Sequence, residues 1–244
     1  MDPLFFHPSY FKDLKRIMEK WAKFHNGLVT TIGKLCVKDG VLRPKARLTS
    51  EIGDIPRLGV ENVTGMGLLW DCKHVEVAPD QSRLFLVQND ILISSTGTGS
   101  TGRVDIFVES VPAITDGHIT VLRINKDIVD PFFVFSFLKT EYAKRQLLRM
   151  ERGSSGQIEL YPDDIANLLV PLPEDKSVRK QASKLVKKST MEIREAKVIL
   201  RDARSKISEN IGELESSRSE QTSYAEVENM VTAIPRAKWR IIRP

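Results

Sequence analysis

Residues Ile91 to Phe107 read ILISSTGTGSTGRVDIF, and Gly97, Gly99 and Gly102 make a literal G-x-G-x-x-G, the spacing that cradles a dinucleotide pyrophosphate. That chemistry needs a strand before the glycines, a helix opening on the last of them, and an acidic residue roughly 20 positions on for the ribose. Only the strand is present. After Gly102 the apolar residues Val104, Ile106 and Val108 alternate, which is the period of a half-buried strand. About 20 residues further along stands Arg123, not a carboxylate. No Lys follows the last glycine, so the phosphate-gripping loop is excluded as well. What remains is a hairpin whose tip is all Ser, Thr and Gly.

Other chemistry-bearing residues are sparse. Cys36 and Cys72 lie in unlike contexts, which predicts two free thiols in a reducing cytoplasm and no zinc site of their own. His7, His25, His74 and His118 have no ligand spacing, so no metal or other cofactor is expected. The net charge of +5 is unevenly placed: from Glu174 onward there are 16 Lys and Arg against 11 Asp and Glu, whereas residues 1 to 173 carry 21 of each. A neutral body excludes a general nucleic-acid glue, which needs a basic excess, but it leaves room for a reader of bases. Local basic clusters survive at Arg43, Lys45 and Arg47 and at Arg145, Arg149 and Arg152. No run of 18 apolar residues occurs, so no membrane span is expected.

The elements that must position these residues fall into two kinds. Residues from about 10 to 25 predict an amphipathic helix with Leu14, Ile17, Met18 and Trp21 on one side. From about 28 to 125 the text is strand-like, in short runs such as LFLVQNDILIS and HITVLRI broken by Gly, Pro, Asp and Asn. PFFVFSFLKTEYAKRQLLRM, opening with Pro131 after Asp130, predicts one helix of about five turns, stopped by GSSG at 153 to 156. IELYPDDIANLLVPLP closes the domain. Beyond Asp175 there is no Pro up to Leu214 and no Gly before Gly212, and core-type positions recur in steps of four and three: Ala182, Val186, Ser189, Ile193, Ala196, Leu200, Ala203, Ile207, Asn210 and Leu214. This heptad seam predicts a helix roughly 60 Å long at ~1.5 Å per residue, packed on another helix. The expected fold is α+β: a mixed-sheet domain over 1–173, a coiled-coil helix over 174–215, and a tail over 216–244.

In order, the chain reads NDILISSTGTGSTGRVDIF, AITDGHITVLRINKDIVDPFFVFSFLKT, RMERGSSGQIELYPDDIANLLVPLPEDKSVRKQ, then a long helix. That order closely resembles the target-recognition domain and spacer helix of type I restriction and modification specificity subunits. Those proteins carry a GD-I-L-(I/V)-S-x-x-G-x-x-G-(K/R) hairpin, an IxxHxxxIRP strand, a helix ending in a Gly-Ser-Thr-rich turn, and L-x-x-I-x-(I/V)-P-L-P before the spacer. FHPSYFKDLKRI and TTIGKLC resemble the stretch leading into such a domain, so the match covers nearly everything up to about 215. Two departures stand out. Asn89 replaces the usual Gly of the hairpin, and IELYPDDI stands where many relatives have a more basic NINKSDL.

The resemblance implies a protein without catalysis of its own that reads one half of a bipartite double-stranded DNA target and holds methyltransferase subunits, with a restriction subunit as a further partner. Ser95, Thr96, Thr98, Ser100, Thr101 and Arg103 would form one DNA-contacting tip, hydroxyls meeting phosphates or base edges. Arg152, Ser154, Ser155 and Gln157 would form a second, and Arg43, Lys45 and Arg47 a flanking basic cluster. Family members of the usual kind carry two recognition domains and two spacer helices; no second NDILIS-like or VPLPEDK-like segment stands here. The implied form is half-size, dimerising through antiparallel spacer helices on a split palindrome. The alternatives are a partner helix from another protein, a recognition component of another methylation or phage-defence complex, and a coiled-coil adaptor without DNA contact. An enzyme would need an N-P-P-Y or D-P-P-Y motif or a nuclease carboxylate cluster, and neither is readable.

Overall fold

The computed structural model describes residues 8–153 and 158–221, with side chains given for all of these except 8–10, 82 and 212–221. The chain divides into two units, Met1–Arg194 and Glu195–Pro244.

In the first unit the strands form three sheets, the largest four-stranded. Strands β2 (Cys36–Leu42), β5 (Ile91–Ser94), β6 (Val104–Ile106) and β8 (Ile119–Ile124) form an antiparallel sheet in the order β2-β8-β5-β6. Strands β3 (Leu48–Leu58), β4 (Lys73–Val77) and β7 (Ile114–Thr115) form a mixed sheet in which β3 pairs antiparallel with β4 and parallel with β7. β1 (Leu28–Thr31) pairs with β9 (Leu169–Leu172), tying the start of the domain to its end. Because side chains alternate across a strand, the four-stranded sheet separates two cores. Ile91, Ile93, Val104, Ile106, Leu122 and Ile124 face the helices, with Val108 packed against the same cluster, as the alternation at 104, 106 and 108 predicts. Leu92, Phe107, Ile119 and Val121 face Leu58, Val63, Leu68 and Leu86.

The helices cover one face. In α1 (Pro8–Phe24) the buried line is Leu14, Met18 and Ala22, spaced i, i+4, i+8, whereas Ile17 and Trp21 stay half-exposed and line an apolar groove with Phe133, Phe137 and Val178. The expected single helix after Asp130 is two. α3 (Pro131–Leu138) starts on Asp130, whose carboxylate accepts from the Phe132 N–H at 2.8 Å, and buries all but Ser136. α4 (Glu141–Met150) restarts on Thr140, whose hydroxyl accepts from the Ala143 N–H, with Glu141 in its first turn. The break has a cause: α3 needs burial all round and α4 is amphipathic, and Thr140-Glu141 is a legitimate helix start. The short α2 (Ile32–Leu35) and α5 (Pro162–Ala166) complete the shell.

Gln146 of α4 is nearly fully buried and works as a strand surrogate. Its amide donates to the Leu169 carbonyl at 3.0 Å and accepts from the Leu169 N–H at 2.9 Å, satisfying β9 on the side away from β1. Both cysteines are free, and burial pushes the Cys36 thiol up to about 12, so it is no nucleophile near neutral pH.

The last helix, α6 (Lys176–Gln221), runs without interruption for 46 residues. Its seam is not uniform. Ala182 and Val186 pack against the core of their own domain, Lys187 lies over the Phe132 ring, and Arg194 makes paired bonds to Glu109. Ile193 is half-buried. In the second unit Ala196, Leu200, Ala203, Ile207 and Asn210 are exposed, together with Ile199 and Ile211, while the Leu214 side chain and the tail from 222 lie outside the described residues. No described helix is long and apolar enough to cross a membrane.

Replacing Gln146 with Ala removes both bonds and leaves the Leu169 amide and carbonyl unpaired in a half-buried setting. The expected cost is about 2 to 3 kcal/mol, read as an earlier urea midpoint with unchanged slope.

Candidate nucleic-acid interface

β5 ends, β6 begins, β8 begins and β2 ends at the same edge of the four-stranded sheet, as the registers Ser94↔Ile119, Ile93↔Val104 and Leu42↔Val121 require. The loops leaving that edge are the Gly-rich tip 95–103, the turn 116–118 before β8, and the connection 43–47 after β2. Three segments far apart in sequence are thereby collected at one place.

The tip is a folded turn. Gly97, Gly99 and Gly102 have φ of 97°, 81° and 78°, in the left-handed region that only glycine enters freely, so the G-x-G-x-x-G spacing is a backbone requirement. Asn89, at the usual Gly position upstream, also has positive φ, 77°, which Asn tolerates better than most residues. The hydroxyls of the tip turn inward. Ser100 Oγ donates to the Thr96 and Gly97 carbonyls, Thr101 Oγ1 to the Gly97 carbonyl at 2.7 Å, and Arg103 Nη2 to the Gly99 carbonyl at 2.9 Å. Thr98 and Arg103 are exposed, and Thr96, Ser100 and Thr101 are half-buried. Ser95 does not belong to the surface: it is fully buried, bonded to Thr120 Oγ1 at 2.7 Å and the Ile93 carbonyl at 3.2 Å. It supports the tip from below.

The segment leading into α5 joins the same edge. Glu159 bridges antiparallel to Thr96 on one side and to Arg152 on the other. The bonds are Gly97 N–H to the Ile158 carbonyl at 3.3 Å, Leu160 N–H to the Ser95 carbonyl at 2.8 Å, and a reciprocal pair between Arg152 and Glu159 at 2.9 and 2.8 Å. Arg152, the described member of the second proposed tip, is thus linked to the first through Glu159. Ser154, Ser155 and Gln157 lie outside the described residues.

The arginines differ in freedom. Arg43 is mostly buried, donating through Nη1 to the Glu159 carboxylate and through Nη2 to the Leu160 carbonyl at 2.8 Å. Arg152 is exposed but pairs with Asp164 at 2.6 Å and stacks its guanidinium over Tyr161. Arg47 pairs with Asp80 at 3.0 Å in full solvent. Lys45 is exposed and has no ion-pair partner among the described residues. Glu159, Tyr161 and Asp164, which engage Arg43 and Arg152, were not singled out by sequence reasoning. The signal was the acidic IELYPDDI in place of a basic segment.

A polar clasp fixes the tip's far side. The Asp105 carboxylate accepts from the Gly65 and Gly67 N–H groups at 2.9 and 2.8 Å, and Lys139 Nζ donates to the Gly65 and Val104 carbonyls. Burial nevertheless raises the Asp105 pKa, outweighing both amides and Lys139, and burial lowers that of Lys139. Among the described residues no cluster of His, Cys, Asp and Glu could hold a metal ion.

The family model described as type I restriction modification DNA specificity domain matches residues 18–199. The chain belongs to that family. No curated protein sequence matches it. Among solved structures it is similar to the specificity subunit from M. genitalium (15% identity, 64% of this chain and 37% of that one, TM-score 0.45) and to the HsdS subunit from Thermoanaerobacter tengcongensis (14%, 77% and 46%, TM-score 0.47). It is also similar to a chain from a study of assembly and conformational transition of the type I R-M system (12%, 82% and 50%, TM-score 0.47). The chain spans half the length, or less, of these three.

Glu159→Gln should show what the acidic segment contributes. Leaving the Arg43 guanidinium partly buried and unpaired is expected to cost about 2 kcal/mol, or roughly 4 to 8 °C in Tm. Lys45→Ala, at an exposed position, should stay within about 0.5 kcal/mol of the wild type in the same melts.

Proposed function

We propose that this chain is the DNA-reading component of a type I-like restriction and modification assembly, contributing no catalysis itself. The observation that carries the reading is the gathering of the Gly-rich tip, the 43–47 connection, the 116–118 turn and the Arg152–Glu159 ladder at one end of one sheet. An edge presenting Thr98, main-chain groups and a few cations suits double-stranded DNA: cations meet phosphates, and polar side chains meet phosphates or base edges. Lys45, Arg103 and Thr98 are the contacting residues of this reading, with Arg47 and Arg152 available by exchange of their solvent-exposed partners. Arg43 and Ser95 hold the edge together.

The exposed apolar positions of α6 beyond Arg194 supply the partner surface, pairing with a second copy of the chain so that two edges read a split palindrome. Methyltransferase subunits are the partners that would convert recognition into modification, and a restriction subunit could join the same assembly.

Lys45→Ala combined with Arg103→Ala should weaken binding to all duplexes alike and flatten the slope of log K against log salt by about 1.8 for two phosphates, without changing the preferred sequence. Fluorescence anisotropy across a salt series reads this directly. A slope that does not move would remove both residues from the DNA contact.

Leu200 is 51% exposed and Ile207 59%. Asp at both should therefore leave the melt of the recognition domain unchanged while dissociating the pair in light scattering, because it buries charges in an apolar seam. High-affinity binding to a two-half-site duplex should fall toward that of one half-site, since the benefit of linkage disappears. A wild-type chain monomeric at micromolar concentration would assign the seam to another protein.

A further inference from the structure

A cleft of about 390 Å³ opens beside the Gly-rich tip, lined by Lys45, Ala46, Leu48, Arg57 and residues 114–118. Its walls are fixed by main-chain bonds. Leu58 pairs with Thr115, the Asp116 N–H donates to the Leu58 carbonyl at 2.9 Å, and the Ser95 N–H donates to the His118 carbonyl at 2.9 Å. The aliphatic stem of Lys45 lies across Gly117. Thr115 is 1% exposed, and its buried hydroxyl has no hydrogen-bond partner among the described residues. Asp116 is half-exposed, and its Oδ1 accepts from the His118 N–H at 2.9 Å, which locks the carboxylate in an Asx turn. Its second oxygen has no donor among the described residues.

Resting on the DNA-reading function above, we propose that Asp116 is a specificity-determining residue that requires an amino-bearing base, cytosine or adenine, at one position of the target, while Lys45 in the same cleft holds a neighbouring phosphate. The chemistry follows from what duplex DNA offers. Phosphate and sugar oxygens accept hydrogen bonds and repel a carboxylate. In the major groove the only donors are the amino groups of cytosine and adenine, whereas guanine and thymine present acceptors. In the major groove an ionised carboxylate, which only accepts, therefore rejects guanine and thymine. Burial already holds the Asp116 pKa above the ordinary carboxylate value, with Glu61 raising it further and the His118 amide, the His118 ring and Arg57 opposing. An amino donor from a base supplies the bond that the protein leaves unmade.

The test uses the whole chain and a pool of random duplexes, sequenced after binding. The wild type should enrich a motif. Against that motif, removing the amino group from each adenine or cytosine in turn, with base analogues that lack it, should weaken wild-type binding roughly tenfold to a hundredfold at one position. Asp116→Asn and Asp116→Ser, the latter keeping a turn-forming hydroxyl, should be indifferent to the same deletion. Asp116→Asn should also accept guanine or thymine there while preserving the rest of the motif. If both variants melt like the wild type yet enrich its motif unchanged, or lose all sequences equally, the proposal is wrong and DNA reading stands. If no amino group matters to the wild type, the proposal is wrong whatever the variants do. A wild type that enriches no sequence would overturn the DNA-reading function itself, and this proposal with it.

Discussion

Glu159 is the residue on which the rest of the edge depends. Through its backbone it pairs with Thr96 and with Arg152, and through its carboxylate it receives Arg43. One extended residue thus joins the tip of a hairpin, the end of a helix and the exit of an edge strand, segments separated by up to 116 positions. The main-chain pairing ties Arg152 to the Gly-rich tip, and the ion pair sets where the 43–47 connection leaves the sheet. Because Arg43 is mostly shielded from water, its charge is tolerable only while Glu159 answers it. The same acidic segment pairs Arg152 with Asp164, so of the cations described at the edge Lys45 and Arg103 remain outside ion pairs with the described residues. That suits a surface whose discrimination comes from fixed polar groups more than from attraction to any phosphate backbone.

The opposite end of the sheet is closed by a second ion pair. Asp90, 2% exposed, takes Arg123 bidentately at 3.0 and 2.8 Å and also accepts the Val87 N–H, while Arg123 reaches the Phe85 carbonyl. Asp90 opens β5 and Arg123 closes β8, so the pair pins the register of the two central strands. A slip of one residue would exchange the two hydrophobic cores that the sheet separates. Register at this end determines which residues emerge at the other.

α6 joins two environments in one helix. Up to Arg194 its inward positions are held by the domain's own core and by Glu109; beyond it, large aliphatic residues lie open in the second unit. A seam continuous in sequence is thus divided in environment, with Ala182 and Val186 packed on their own domain and Leu200 and Ile207 exposed.

The sequence by itself determined the elements whose cause is local. The alternation at 104, 106 and 108, the proline start after Asp130, the unbroken heptads after Asp175 and the order of motifs were enough for an α+β domain, a long helix and the family. It could not separate α3 from α4, because a 20-residue apolar and amphipathic run reads as continuous until burial shows that one half is surrounded and the other is not. Nor could it tell which polar residues of the tip face water: Ser94, Ser95 and Thr96 are alike in type, but Ser95 sits at the depth of Thr120. Arg43 and Lys45 look equivalent two positions apart, yet one is held by Glu159 and the other has no ion-pair partner among the described residues. Partners so distant in the chain meet only when β2, β5 and β8 are in register, because the closeness of loops at a sheet edge is a property of strand pairing and leaves no local pattern to read.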